Sequence, residues 1–362
     1  MKSFHLVFMT IVISLSSFAQ SSDDTLIPKT MEGVKAMKFT SSVNHHDYVI
    51  FVSLPASYND SNKKTYPVMY TLDAQWSFPY ALQAQGSLLY DNLVPEMIYV
   101  GIAFPQNWFA NRNRDFTPTN TDFDSASGGA PAFLEMIKKE IIPIIDSTYR
   151  TDKKNNGITG GSSAGLFVLY TLFQQPSPFN RFMANSPSLW YDNLLMLKIE
   201  KEYLAKSHKL NAKLFLSSGG YEEENDPPVF EDFIAQLQSS HYVGLEMENL
   251  VIEKTGHLTA GFYAIIRGMQ YIYSKPDILL DTILLNEYAG HYEHDIAFVR
   301  KGKSLYFSGF GKQTKLNAET DKTFYNKGVN GIAEFIRDGK GKITGVEFNS
   351  ADTKGAFAKR IE

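Results

Sequence analysis

The stretch from Asn155 to Pro176, NNGITGGSSAGLFVLYTLFQQP, constrains this chain more than any other. A short strand over Gly157 to Gly160 is expected to run into a tight turn, and an apolar helix over Leu166 to Phe173 to leave it. Gly161-Ser162-Ser163-Ala164-Gly165 fits the G-x-S-x-G pattern, in which a serine rides on a sharp strand-to-helix turn and the flanking glycines leave room for the backbone. On that register the nucleophile is Ser163. The N-terminal N–H groups of the following helix would face the site and favour a developing oxyanion. Pro176 then stops the helix.

The rest of the chain fits a layered α/β domain around that turn. Lys35 to Leu54 suits paired strands, and Pro67 to Leu72 and Met97 to Phe104 are short apolar runs of the kind buried in a parallel sheet. A polar stretch, Pro105 to Gly128, reads as a long loop whose length points beyond mere connection. Ala130 to Tyr149 carries Leu134, Ile137, Ile141, Ile144 and Ile145 at helical spacing, with Pro143 as a kink. Further strands are expected from Phe182, over Lys213 to Ser218 and over Leu250 to Glu253. Further helices are expected over Leu194 to Ser207, Pro228 to Leu237 and Thr259 to Tyr273. Alternation at this spacing predicts a mostly parallel sheet, with ligands gathered outside the carboxyl ends of its strands.

Near Asp277 to Asp281 the texture changes to short alternating runs split by KGK, GKQ and DGKGK turns. The organisation expected is therefore a secretory leader over 1–19, an α/β domain over 30–280 and an antiparallel β-module over 284–362. The leader reading rests on Lys2, the apolar run Leu6 to Leu15 and the small-x-small site Ser17-Phe18-Ala19. It implies a periplasmic or secreted protein. No later run approaches the about 18 apolar residues of a membrane span. A net charge of −4 leaves no electrostatic footprint for nucleic acid, and the absence of cysteine removes disulfides, thiolate nucleophiles and Cys-based zinc sites.

An acyl-transfer serine needs a base and an acid to orient that base. His257, in a loop after a strand, is the candidate base. Glu222, Glu223, Glu224 and Asp226 crowd the loop that should supply the acid, and Glu222 is the choice among them. The oxyanion donors expected are the N–H of Ala164, next after the nucleophile, and that of Gln75, after the Pro67 to Leu72 strand. Trp190 is a candidate pocket wall, and Arg112 and Arg114 are cations that could gather at the pocket, Arg114 as a substrate contact. His45, His46, His291 and His294 read as surface residues.

Six segments together carry a resemblance: YPVMYTLDAQW (Tyr66 to Trp76), VGIAF with NRNRDFTP (Val100 to Pro118), ITGGSSAG (Ile158 to Gly165), NSPSLWYD (Asn185 to Asp192), LFLSSGGYE (Leu214 to Glu222) and TGH (Thr255 to His257). In this order the chain resembles the "Putative esterase" family of α/β-hydrolases, which includes siderophore, feruloyl and acetyl-xylan esterases, S-formylglutathione hydrolase and mycolyltransferases. The resemblance implies an α/β-hydrolase fold and an aspartate–glycine pair after the YTL strand, where this chain has Asp73-Ala74. The segment from Asn286 to Asp295 resembles a small β-module appended to exported bacterial hydrolases. The expected activity is that of an exported serine carboxylesterase without metal or organic cofactor, acting on a siderophore or a feruloyl or acetyl polysaccharide ester. An acyltransferase, or a non-catalytic carbohydrate- or surface-binding protein, are the alternatives. Substrate identity and oligomeric state stay open.

Overall fold

Strands rich in Val, Ile, Met and Tyr, apolar on both faces, can be stable only between two layers of helices. A computed structural model of the chain, which describes residues 31–60, 63–122, 125–225, 229–350 and 354–361, has that arrangement. The expected leader over 1–19 lies outside the described residues. The central sheet contains β1 (Lys35–Thr40), β2 (Asp47–Ser53), β3 (Tyr66–Thr71), β4 (Ile98–Ala103), β5 (Thr151–Gly161), β6 (Arg181–Asn185), β7 (Lys209–Gly219) and β8 (Val243–Ile252), in the order β1-β2-β4-β3-β5-β6-β7-β8. From β4 to β8 every pairing is parallel, and β1 and β2 add an antiparallel edge.

One face of the sheet is covered by α1 (Ala74–Tyr90) and by the last helix of the domain, His257–Ile272. Phe78, Ala81, Leu88, Ile265, Met269 and Ile272 pack there on Met69, Tyr99, Met183 and Phe215 from the strands. The other face carries helices that follow α2 (Trp108–Phe116): α3 (Ala130–Met136), α4 (Ile142–Thr148), α5 (Ser163–Phe173), α6 (Tyr191–Leu204), α7 (Gly220–Asn225, a short turn beside the sheet edge) and α8 (Val229–Ser239), so that His257–Ile272 is α9. Phe133, Ile137, Leu166, Leu169 and Phe233 form the core on that side. This is the mostly parallel α/β-hydrolase arrangement expected.

Three local features differ from expectation. The Pro105 to Gly128 loop contains α2, whose polar sequence conceals a buried side: Arg112, Asp115 and Phe116 are all buried. Pro143 does not simply kink its helix. The chain widens into a π-helical turn over Ile137–Ile141 before α4 begins, because a proline offers no N–H for the regular ladder. Strand β5 is eleven residues long, but its first half is polar and partly exposed, so only Gly157 to Gly160 was visible as a strand.

After α10 (Thr282–Tyr288), whose N–H at Ile283 is capped by the Asp281 carboxylate at 2.7 Å, the chain forms two antiparallel sheets. One contains β9 (Gly290–Tyr292), β10 (Ile296–Lys301), β11 (Ser304–Gly309) and β12 (Lys312–Lys315). The other contains β13 (Asn317–Ala318), β14 (Thr323–Tyr325), β15 (Ile332–Arg337), β16 (Ile343–Asn349) and β17 (Ala356–Lys359). Tyr288 stacks on Phe335 at 4.2 Å, and Phe298 meets the same ring edge-on at 4.7 Å. This aromatic core is separate from those of the α/β domain.

The β-module is fastened to the far end of α1 and α9. Asn92, just beyond α1, donates to the carbonyls of Val329 and Gly331 at 2.7 and 3.0 Å, and the Gly328 N–H donates to Asp91 O at 2.7 Å. Lys275, just beyond α9, is buried, pairs with Glu319 at 3.2 Å and lies over the Tyr325 ring. Helices of 16 and 17 residues are roughly 25 Å long, and their N-termini lie at the opposite, carboxyl edge of the strands.

Candidate active site

At that carboxyl edge, β5 turns into α5 through one residue of unusual backbone, Ser162, with φ 58° and ψ −126°. Such a conformation is costly for a side-chain-bearing residue and persists only where its surroundings hold it. Here the Ser162 N–H donates to Asn185 O at 3.0 Å, and its carbonyl accepts from Leu166 and Ser188 N–H groups at 2.9 and 3.2 Å. The strand and helix meet two residues either side of it. A Cβ at Gly160 would sit 2.7 Å from the Ala164 Cβ and 2.8 Å from its carbonyl carbon and oxygen, so only glycine fits. Gly161 and Gly165 do not form such a pair: a Cβ at Gly161 would meet nothing closer than 3.6 Å.

This shifts the expected register by one. Ser162 is at the apex of the turn and lines the adjoining cleft, whereas Ser163 is the first residue of α5 and does not line it. Ala164, expected as an oxyanion donor, is fully buried and acts as the small partner of Gly160. The residue next after the apex is Ser163. Gly160-x-Ser162-x-Ala164 carries the same motif with alanine at its last place, one residue before the full match of Gly161-x-Ser163-x-Gly165.

The cleft brings Ser162 and His257 together with Thr71, Asp73, Trp76, Tyr80, Arg112 and Asn185. His257 begins α9, and its Nδ1 lies 2.5 Å from Glu222 Oε2. Glu222, on α7 directly after β7, also accepts from Ser186 Oγ at 2.7 Å and from the Gly219 N–H at 2.9 Å. Partial burial alone would raise its carboxyl, but the hydrogen bonds from His257, Ser186 and Gly219 prevail and hold it below the usual carboxylate range. A Cβ at Gly219 would lie 2.9 Å from Glu222 Oε1, the oxygen that accepts from Ser186 and Gly219, so this glycine lets the acid approach the strand end. Glu223 is engaged instead by Ser218 Oγ. Asp226 lies outside the described residues.

Asp73 stands at the end of β3 in the left-handed conformation, φ 53° and ψ 38°, as the residue before α1. Its carboxylate does not cap the helix. It is held by the Arg112 guanidinium, with Nη2 at 3.0 Å and Nε at 3.2 Å from Oδ2. Burial pushes the Asp73 carboxyl up, and the charge and hydrogen bonds of Arg112 oppose that rise without cancelling it. The N–H groups of Trp76 and Ser77 are taken by Asp73 O, so Ala74 and Gln75 carry the first N–H groups of α1. The Gln75 residue itself does not line the cleft; its Nε2 approaches Asp73 Oδ1 at 3.5 Å.

Two expected contacts are not at this cleft. Arg114 points to the other side of α2, where it binds Asp115 at 2.7 and 2.9 Å and borders a second, polar cleft with Lys38, His45, His46 and Asn111. Two residues along a helix is more than half a turn, which is why Arg112 and Arg114 part company. Trp190 is 67% exposed and does not line the cleft. The tryptophan that lines the cleft is Trp76, the last residue of the YPVMYTLDAQW segment.

The "Putative esterase" family model matches residues 41–237 of the chain. Ferri-bacillibactin esterase BesA of Bacillus subtilis is 29% identical over 263 residues, covering 67% of this chain and 90% of that protein. Among solved structures, the BES protein from Bacillus cereus aligns with a TM-score of 0.60 at 23% identity, over 67% of this chain and 95% of its own. Siderophore hydrolase EstB from Aspergillus nidulans aligns with a TM-score of 0.60 at 20% identity, over 68% and 97%. These two likenesses are of fold.

Proposed function

Because the chain belongs to the "Putative esterase" family, an ester-hydrolysing group, we propose that it is a serine esterase with Ser162 as nucleophile, His257 as base and Glu222 as orienting acid. The observation that carries this reading is the cleft shared by a strained Ser162 and a His257 whose other ring nitrogen is held by Glu222.

In this mechanism Ser162 Oγ attacks the ester carbonyl as His257 Nε2 takes its proton. Glu222, kept ionised by three donors, fixes the ring and balances the imidazolium charge. The oxyanion donors in this proposal are backbone N–H groups adjoining the cleft-lining Ser162 and Asp73: that of Ser163, at the start of α5, and that of Ala74, at the start of α1, where no side chain caps the helix. His257 returns its proton to the leaving alcohol, and water then resolves the acyl-enzyme by the same route in reverse. The described residues contain no group of three or more His, Cys, Asp or Glu side chains suited to hold a metal, and the chemistry proposed calls for none.

The substrate proposed is a siderophore ester, a class supported by what BesA is named for. Export through the 1–19 leader is part of the proposal and suits such a substrate. Among the described residues no helix is long and apolar enough to cross a membrane. The test is a panel of siderophore, feruloyl and acetyl-glycan esters, assayed by product analysis with Ser162→Ala as control. Turnover of siderophore esters that disappears in Ser162→Ala is expected. Equal turnover by both proteins would overturn the reading.

A further inference from the structure

Tryptophan is costly to leave in water, and the chain has only three. Two of them meet at the mouth of the cleft. Trp76, which lines it beside Ser162, is 43% exposed, and Trp108 at the start of α2 is equally exposed. Their rings pack edge-to-face at 4.5 Å, and Phe109, 60% exposed, continues the cluster at 5.6 Å from Trp108. One turn farther along α1, Tyr80, which also lines the cleft, packs on the exposed Phe262 of α9 at 4.9 Å. Rings held against one another have little freedom left to lose when a ligand ring stacks on them.

Charge does not compete for the recognition. The charged or titratable groups that line the cleft, apart from the phenol of Tyr80, are Asp73, Arg112 and His257. Arg112 is spent on Asp73, and His257 is turned to Glu222. What the mouth offers a substrate is therefore a fixed aromatic face, with the neutral polar groups of Thr71, Ser77 and Asn185 beside it.

We infer that Trp76 and Trp108 form a stacking subsite that selects esters carrying a planar aromatic ring over esters of equal bulk whose ring is saturated. This rests on the esterase reading above and narrows it, since an ester of purely aliphatic arms would leave the subsite unused. Trp76 acts by direct contact with the substrate ring, and Trp108 fixes the plane of Trp76 from behind.

The test compares trifluoroethyl phenylacetate with trifluoroethyl cyclohexylacetate, followed by pH-stat titration. The two differ in ring planarity, while a methylene insulates the carbonyl from the ring. Wild type is expected to favour the phenyl ester in kcat/KM by about three- to tenfold, the worth of one aromatic pair. Trp76→Ala should remove that preference, and Trp76→Phe should keep most of it. If Trp76→Ala does not fold, Trp108→Ala, at an exposed position of α2, should reduce the preference in the same sense. A wild-type enzyme that treats the two esters alike, or a preference untouched in Trp76→Ala and Trp108→Ala, overturns the inference. Loss of all turnover, with 4-nitrophenyl acetate also inert and no difference from Ser162→Ala, would instead overturn the esterase reading on which it rests.

Discussion

The two ends of α1 and α9 lie at opposite edges of one sheet and are built in opposite ways. At the carboxyl edge, the chain is strained at Ser162 and Asp73, the first N–H groups of α1 have no side-chain cap, and large aromatic rings face water. At the other edge, Asn92, Lys275 and Tyr325 are closed into a network of hydrogen bonds and one ion pair that fixes the β-module in place. Unsatisfied donors and strain are expensive, and the fold confines them to the place where a substrate would use them. The module is thus attached at the far ends of two helices roughly 25 Å long, and none of the residues that line the cleft belongs to it. Its attachment is that of a fixed body, not of a lid.

Substitutions at the two edges should separate chemistry from stability. The largest effect belongs to Ser162→Ala, which should lower kcat by about 10⁴-fold or more, while Ser163→Ala, whose N–H is kept, should cost less than about tenfold. Single-turnover and steady-state kinetics with one activated ester measure both. Next comes Glu222→Gln, expected to lower kcat by about 10³- to 10⁴-fold with the fold intact, because an amide cannot hold the imidazolium that forms. Circular dichroism alongside the kinetics would separate this from unfolding.

Among stability effects, Arg112→Met strands a carboxylate that is almost wholly buried and should cost about 3–5 kcal/mol in urea unfolding. Lys275→Met should cost less, about 1–3 kcal/mol, because Glu319 is partly exposed and can return to water. It should leave kcat within about twofold, since the module edge takes no part in the reaction. A large loss of kcat in Lys275→Met would break the division between the two edges.

The smallest effect is a pH dependence. The Glu222 carboxyl is held below its ordinary value of 4.5, so the native state binds fewer protons there than the unfolded chain. Its contribution to stability is complete above that value and is lost as pH falls through the lower native pKa. Urea midpoints taken across the acid range should show this slope in the wild type and lack it in Glu222→Gln.

The sheet was legible because its strands are apolar on both faces, and the β-module because its alternation and turn residues repeat at short intervals. Chain order and strand ends bring His257 and the acidic loop to one edge, and of the four acids crowding that loop it is Glu222 that meets the imidazole. What escaped reading depended on contacts between distant residues. Gly157, an odd residue for a strand core, is required because a Cβ there would sit 2.5 Å from the Tyr273 hydroxyl. Helix α2 hid in a polar loop because its buried groups are charges, satisfied by Asp73 and Tyr48. The choice between Ser162 and Ser163 turns on which pair of neighbours touches across the elbow, and adjacent serines in a glycine-rich run leave that undecided.

That choice is what the mechanism depends on, and a fluorophosphonate probe reads it directly. The reagent phosphonylates an activated serine with loss of fluoride, and peptide mapping by tandem mass spectrometry assigns the residue. One adduct on Ser162, abolished in Ser162→Ala and retained in Ser163→Ala, is the result predicted. An adduct on Ser163, or labelling that persists in Ser162→Ala, would contradict it.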